Sequence, residues 1–156
     1  MQPAAAAEAL PTELNPINRS RHLELAKDKL TIRYVGQGSH AHDIGAIQAN
    51  RPVPRTVFVY YYECTVVNAG TRGSFALGLA ERSFDLARKP GWDPNSFGYH
   101  AEDGRKFAHN DRGESVPPGL ELLPTAALHS PNETLIFNFG AAPFAFDLAG
   151  EMSRAV

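Results

Sequence analysis

Hydrophobic and polar residues alternate along much of this chain. Leu30, Ile32 and Tyr34 are separated by Thr31 and Arg33, the period of two that marks a half-buried strand. The densest such run is Val57 to Val67, rich in β-branched and aromatic residues. It predicts a long core strand with Phe58, Tyr60, Tyr62, Cys64 and Val66 on the inner face. Val57, Val59, Tyr61, Glu63, Thr65 and Val67 then fall on the outer face, which Glu63 marks as the wetter one. The turn Asn68 to Gly73 leads into Phe75, Leu77 and Leu79, so the two runs are expected to form a hairpin. A weaker strand is expected at Ile44 to Ile47, and three more at Leu122 to Leu128, Thr134 to Phe139 and Phe144 to Leu148. A short helical turn fits Arg21 to Lys27. Short strands separated by turns predict an all-β antiparallel sandwich or barrel. Its core should gather Phe58, Tyr62, Cys64, Phe75, Leu77, Leu79, Phe137 and Phe139.

Proline and glycine punctuate the rest. Residues 1–16 are Ala-rich and carry Pro3, Pro11 and Pro16, which predicts a flexible tail. The domain is expected over 17–152, with a short tail at 153–156. Glu81 to Gly104 holds Pro90, Gly91, Pro94, Asn95 and Gly98 and is expected to be a long loop region, followed by a second loop at His109 to Gly119.

Composition narrows the function classes. The chain has 156 residues, 43% hydrophobic and 21% charged, which fits a single soluble domain. A net charge of -2 with no basic stripe argues against nucleic acid as a partner. Nothing resembles a signal peptide or a run of about 20 apolar residues, so no membrane partner is expected. Cys64 is the only cysteine and lies in an apolar run, which suits the cytoplasm or nucleus.

Catalytic chemistry finds little support. His40, His42 and Asp43 could in principle ligate zinc, but no HExxH or Cys pair completes the set, and no metal is expected. Cys64 on an inward strand face should be inert. Ser74, Ser83 and Ser96 lack a nucleophile elbow. The glycines near Gly36 and Gly70 lack the strand, loop and helix order of a phosphate cradle, so no cofactor is expected. The chain reads as a binding protein and not an enzyme.

The loops carry the binding candidates. Arg51-Pro52-Val53-Pro54-Arg55 is a proline-stiffened segment able to present Arg51, Pro52 and Pro54 at low entropic cost. Arg82, Trp92, Tyr99 and His100 lie in or beside the second loop region, and Arg, Trp and Tyr dominate interface hot spots. Trp92 between Gly91 and Asp93 could equally fold inward and pin its own loop.

An ordered set of motifs is more specific than any of these singly. Tyr34-Val35-Gly36-Gln37-Gly38 is followed by His42-Asp43-Ile44-Gly45-Ala46-Ile47-Gln48-Ala49-Asn50 and Tyr60-Tyr61-Tyr62-Glu63. Next come Pro90-Gly91-Trp92-Asp93 and Ser96-Phe97-Gly98-Tyr99-His100-Ala101-Glu102-Asp103-Gly104, and finally Asn138-Phe139-Gly140 with Pro143-Phe144-Ala145-Phe146-Asp147. In this order they resemble the SPRY domain of the Ran-binding protein M family, over nearly all of Leu30 to Met152. The resemblance implies a bent antiparallel β-sandwich of concanavalin-like type whose loops grip short peptides of partner proteins. It also implies an adaptor or substrate-receptor role in the CTLH-type ubiquitin ligase, called GID in yeast. Two departures stand out. Family strands expected after Gly104 are replaced by Asn110-Asp111-Arg112-Gly113-Glu114-Ser115 running into Val116-Pro117-Pro118-Gly119, so the sandwich should be incomplete. The LisH, CTLH and CRA segments of the family are also not in this sequence. A lectin-like carbohydrate-binding sandwich and a shortened isoform without independent activity are the alternative readings.

Overall fold

The computed structural model describes residues 9–109 and 119–154. Among the described residues ten strands appear in chain order: β1 (Leu14–Arg19), β2 (Leu23–Leu25), β3 (Thr31–Tyr34), β4 (Gly45–Ala49), β5 (Glu63–Asn68), β6 (Ala76–Glu81), β7 (Ser96–His100), β8 (Arg105–His109), β9 (Leu122–Leu128) and β10 (Thr134–Asn138). Among the described residues one α-helix, α1 (Leu148–Arg154), follows. The strands form a six-stranded sheet ordered β1-β4-β9-β6-β7-β8 and a four-stranded sheet ordered β2-β3-β10-β5. Their pairings are antiparallel.

The sheets stack through side chains that alternate inward. Leu14, Ile47, Ala49, Ala126 and Leu128 of the larger sheet meet Leu23, Ile32, Tyr34, Leu135 and Phe137 of the smaller one. Burying each Leu, Ile or Phe among these contributes about 1.5–3 kcal/mol. This is the all-β sandwich that the alternation predicts. β9 is buried along its whole length, because both faces of the larger sheet are covered at that point. On the far face Ile44, Ala46, Ala80 and Ala127 pack under Phe84 and Leu86 of the connection after β6.

Several expectations need correction. The segment 9–16 does not behave as a tail: Pro11 and Leu14 are buried, and β1 pairs with β4. Leu23–Leu25 is a strand edge on β3, where a helical turn was expected. The regular strand in the Val57–Val67 run begins only at Glu63, and Phe58 is 98% exposed. Inward parity does hold from Tyr62 to Cys64, since Cys64 pairs with the buried Phe137 and both Tyr62 and Cys64 pack on the core. β5 and β6 are not a hairpin. The intervening turn carries the chain from one sheet to the other, β5 pairing with β10 and β6 with β7 and β9.

The supposed long loop contains β7 and is followed by β8. Glycine is required in β7, because a Cβ on Gly98 would overlap the Pro90 carbonyl, as one on Gly78 of β6 would overlap that of Phe97. Phe144 to Leu148 is not a strand. It crosses the outer face of β5, with the Phe144 ring edge-on to Tyr61 at 4.9 Å, and leads into α1, which runs past residue 152 to Arg154. The junction Asn110 to Pro118 lies outside the described residues.

Candidate functional site

The proline-stiffened loop forms a concavity of about 290 Å³ lined by Arg51, Pro52, Val53, Pro54 and Arg55 with Ala9 and Glu121. Its shape follows from backbone anchoring. Val53 donates its N–H to the Leu122 carbonyl at 2.7 Å, and Asn50 donates to the Glu13 carbonyl at 2.9 Å, which fixes both the middle and the base of the loop. Pro54 is buried and works as a wedge, so it offers no contact to a partner. Arg51 stays exposed, reaching the Leu10 carbonyl at 3.4 Å, and Arg55 donates to the Gly119 carbonyl at 2.8 Å. Glu81 pairs with Leu122, so the turn carrying exposed Arg82 leaves the same end of the larger sheet as this loop. The structure therefore brings Arg51, Pro52 and Arg82 to one end.

Trp92, Tyr99 and His100 are placed elsewhere. His100 is fully buried, donating from Nε2 to the Pro90 carbonyl at 2.9 Å, while its Nδ1 has no hydrogen-bond partner among the described residues. It cannot reach a partner protein, which corrects its assignment as a contact. Its role is to hold the Pro90–Trp92 turn against β7. Trp92 shares that work, edge-on to His100 at 4.6 Å with the Lys89 ammonium 5.4 Å from its ring centre, yet 39% of it stays exposed. Beside it a cleft of about 310 Å³ is lined by Arg72, Lys89, Trp92, Glu102 and His129 among others. Tyr99 follows strand alternation onto the opposite face from His100 and does not share a surface with Trp92.

Sequence reasoning missed the residues that rigidify this end. Glu133 is fully buried, and its Oε1 accepts the N–H groups of His129 and Ser130, each at 2.7 Å. Arg72 crosses to donate to the Gly38 carbonyl at 2.5 Å and the His129 carbonyl at 2.9 Å, tying the loop before β4 to the turn after β9. Tyr34 donates to the Asp43 carbonyl at 2.5 Å from the same side. Asp43 is committed to Ser39, whose N–H and hydroxyl both reach its carboxylate, and these bonds hold the carboxyl below its usual range. Among the described residues no three His, Cys, Asp or Glu side chains converge as metal ligands. Burial pushes the Cys64 thiol up to about 12, which disfavours the nucleophilic thiolate.

What the site offers is a preorganised loop rim on a sandwich of two unequal antiparallel sheets. A solved human SPRY domain superposes with a TM-score of 0.61, covering 79% of this chain and 98% of that chain at 22% identity. A Ran-binding protein M homolog of Arabidopsis thaliana is 35% identical over 179 residues, 92% of this chain. The chain has the SPRY fold and is similar in sequence to Ran-binding protein M relatives. Ran-binding protein 10 of Danio rerio is 27% identical over 93% of the chain, and human Ran-binding protein 9 is 27% identical over 92%. No family model matches. This SPRY domain spans 38% of the Arabidopsis relative and 24% of the human one. The 179 aligned positions outnumber the 156 residues present, so at least 23 positions of the relative lie opposite gaps.

Proposed function

We propose that this SPRY domain grips a short segment of a partner protein at the loop end carrying Arg51, Pro52, Arg55 and Arg82, and that it is a binding module without catalytic activity. The observation that supports this reading most is the anchoring of the Arg51–Arg55 loop by Val53 on Leu122 and Asn50 on Glu13, which leaves a rigid concavity with guanidinium groups at its rim. A rigid rim loses little entropy when a peptide docks. Guanidinium forks select carboxylates or backbone carbonyls in that peptide. The finer reading is an adaptor or substrate receptor within a CTLH-type ubiquitin ligase, acting in the cytoplasm or nucleus, supported by likeness to Ran-binding protein M relatives.

The test is selection of peptides from a display library on the full chain, followed by affinities for Arg51→Ala and Arg82→Ala. Each variant should weaken the selected peptides about tenfold or more with the melting temperature nearly unchanged. Selected peptides that bind both variants like the parent would overturn the loop site.

A further inference from the structure

The two sheets differ in width by two strands, and the difference falls on one side. The core between them draws on β1, β4, β9 and, through Leu77, β6. Tyr62 makes the last bridge, donating its hydroxyl to the Gly78 carbonyl at 2.8 Å. Beyond it β7 and β8 project past the smaller sheet. By register Leu79, Phe97, Tyr99, Lys106 and Ala108 share the inner face with Leu77, and these six line an open cavity of about 610 Å³. The opposite face of the same strands is covered by the Pro90–Trp92 turn, so only the inner face is bare.

The edge beside this shelf is also open. Among the described residues β5 pairs with β10 alone, and Val66, whose partner Leu135 is fully buried, is itself 44% exposed. Strands lie about 4.8 Å apart, so two further strands added to β5 would restore equal widths and roof the shelf. The Arabidopsis relative has at least 23 positions with no counterpart in this chain, enough for two strands of about 5–6 residues and their turns.

We propose that a second polypeptide supplies a two-stranded antiparallel segment that pairs with the free edge of β5. Alternate apolar side chains of the segment lie on Leu79, Phe97 and Tyr99, and a carboxylate meets Lys106. Main-chain hydrogen bonds give such strand addition its affinity and the shelf gives it selectivity. The acidic partner follows from charge: Lys106 is the one charged residue lining the shelf among the described residues. The same charge disfavours a second copy of this chain, because a two-fold packing of shelf on shelf draws the two Lys106 side chains toward each other. The proposal rests on the protein-interaction reading but uses a surface separate from the Arg51–Arg55 loop.

The probe is a synthetic β-hairpin peptide with alternating apolar residues on one face and one carboxylate in each strand, with a scrambled peptide as control. It is titrated into the full chain by fluorescence anisotropy and followed by hydrogen exchange. Saturable binding with new protection of the β5 amides is expected, lost in Leu79→Glu and about tenfold weaker in Lys106→Glu. Peptides with each carboxylate changed in turn to Lys should include one that restores binding to Lys106→Glu. Lys106 is exposed, so this variant keeps its fold even where Leu79→Glu does not. Absence of β5 protection, binding equal to that of the scramble, or binding indifferent to both variants overturns the proposal. So does a dimer in light scattering that Leu79→Glu dissolves, which would make a second copy the occupant. Peptides selected on the Arg51–Arg55 loop should ignore Lys106→Glu, so either reading can fail alone.

Discussion

Trp92 shows how an aromatic can stand between structure and recognition. Its contacts with His100 and Phe107 place it at the lip of the loop, while the exposed part of the ring faces the Lys89–Glu102 cleft. Because the indole is not fully buried, Trp92→Ala should destabilise the domain by about 1–3 kcal/mol, less than a core aromatic deletion. Chemical denaturation of parent and variant measures this, and a loss under about 0.5 kcal/mol would show that His100 holds the turn unaided. At Cys64 the expectation concerns rate. A thiol with its pKa pushed up to about 12 by burial holds little thiolate near neutrality. Alkylation by iodoacetamide in the folded state should therefore be about a thousandfold slower than for a free thiol and recover on unfolding. His100 carries the residue-scale lesson about the sequence. Its assignment as a contact beside Tyr99 conflicts with strand parity, which puts neighbours on opposite faces, and that conflict becomes visible only once Ser96–His100 is known to be a strand.

Among the elements, the segment from Phe144 to α1 is held to β5 by Glu63. Its carboxylate accepts the N–H groups of Phe146 at 2.9 Å and Ala145 at 3.0 Å, and the Tyr61 hydroxyl donates to it at 2.9 Å. The Phe146 and Ala145 bonds draw the Glu63 pKa below its ordinary value. A carboxylate depressed in the folded state stabilises it above the unfolded pKa, and that contribution is lost as pH falls through the folded value. The amides of Ala145 and Phe146 should thus lose exchange protection below about pH 4, after correction for intrinsic rates. Glu63→Gln should abolish this pH dependence. Protection unchanged through that range would show that Phe144 and Phe146, packed against Tyr61, suffice to hold the segment. The sequence made Glu63 legible as an outward position. It could not show that the segment containing Phe144 and Phe146 returns to cap it, because that contact joins residues about 80 positions apart.

For the molecule as a whole, period two made the inward residues of β3, β5 and β10 legible, and the family motifs made the sandwich legible. The assignment of strands to sheets was not. Glu63–Asn68 and Ala76–Glu81 look like a hairpin locally, yet each finds better burial in a different sheet, β5 over Leu135 and Phe137, and β6 beside the wholly buried β9. That partition decides where the molecule is weak. β9 and β4 lie inside the larger sheet with both faces covered, whereas among the described residues β5 and β8 each keep one free edge beside the shelf. Local opening follows exposure of backbone hydrogen bonds and scarcity of apolar contacts. Free edges next to apolar surface also template association between chains. Native-state hydrogen exchange should therefore be slowest in β4 and β9 and faster by about a hundredfold or more in β5 and β8, with aggregation rising with concentration. Replacing Val66 by Lys places a charge on the open inner edge and should suppress aggregation while leaving β9 exchange nearly unchanged. Uniform protection across all four strands, with a concentration-independent monomeric melt, would mean that the shelf is closed in solution and that the difference in sheet width has no energetic consequence.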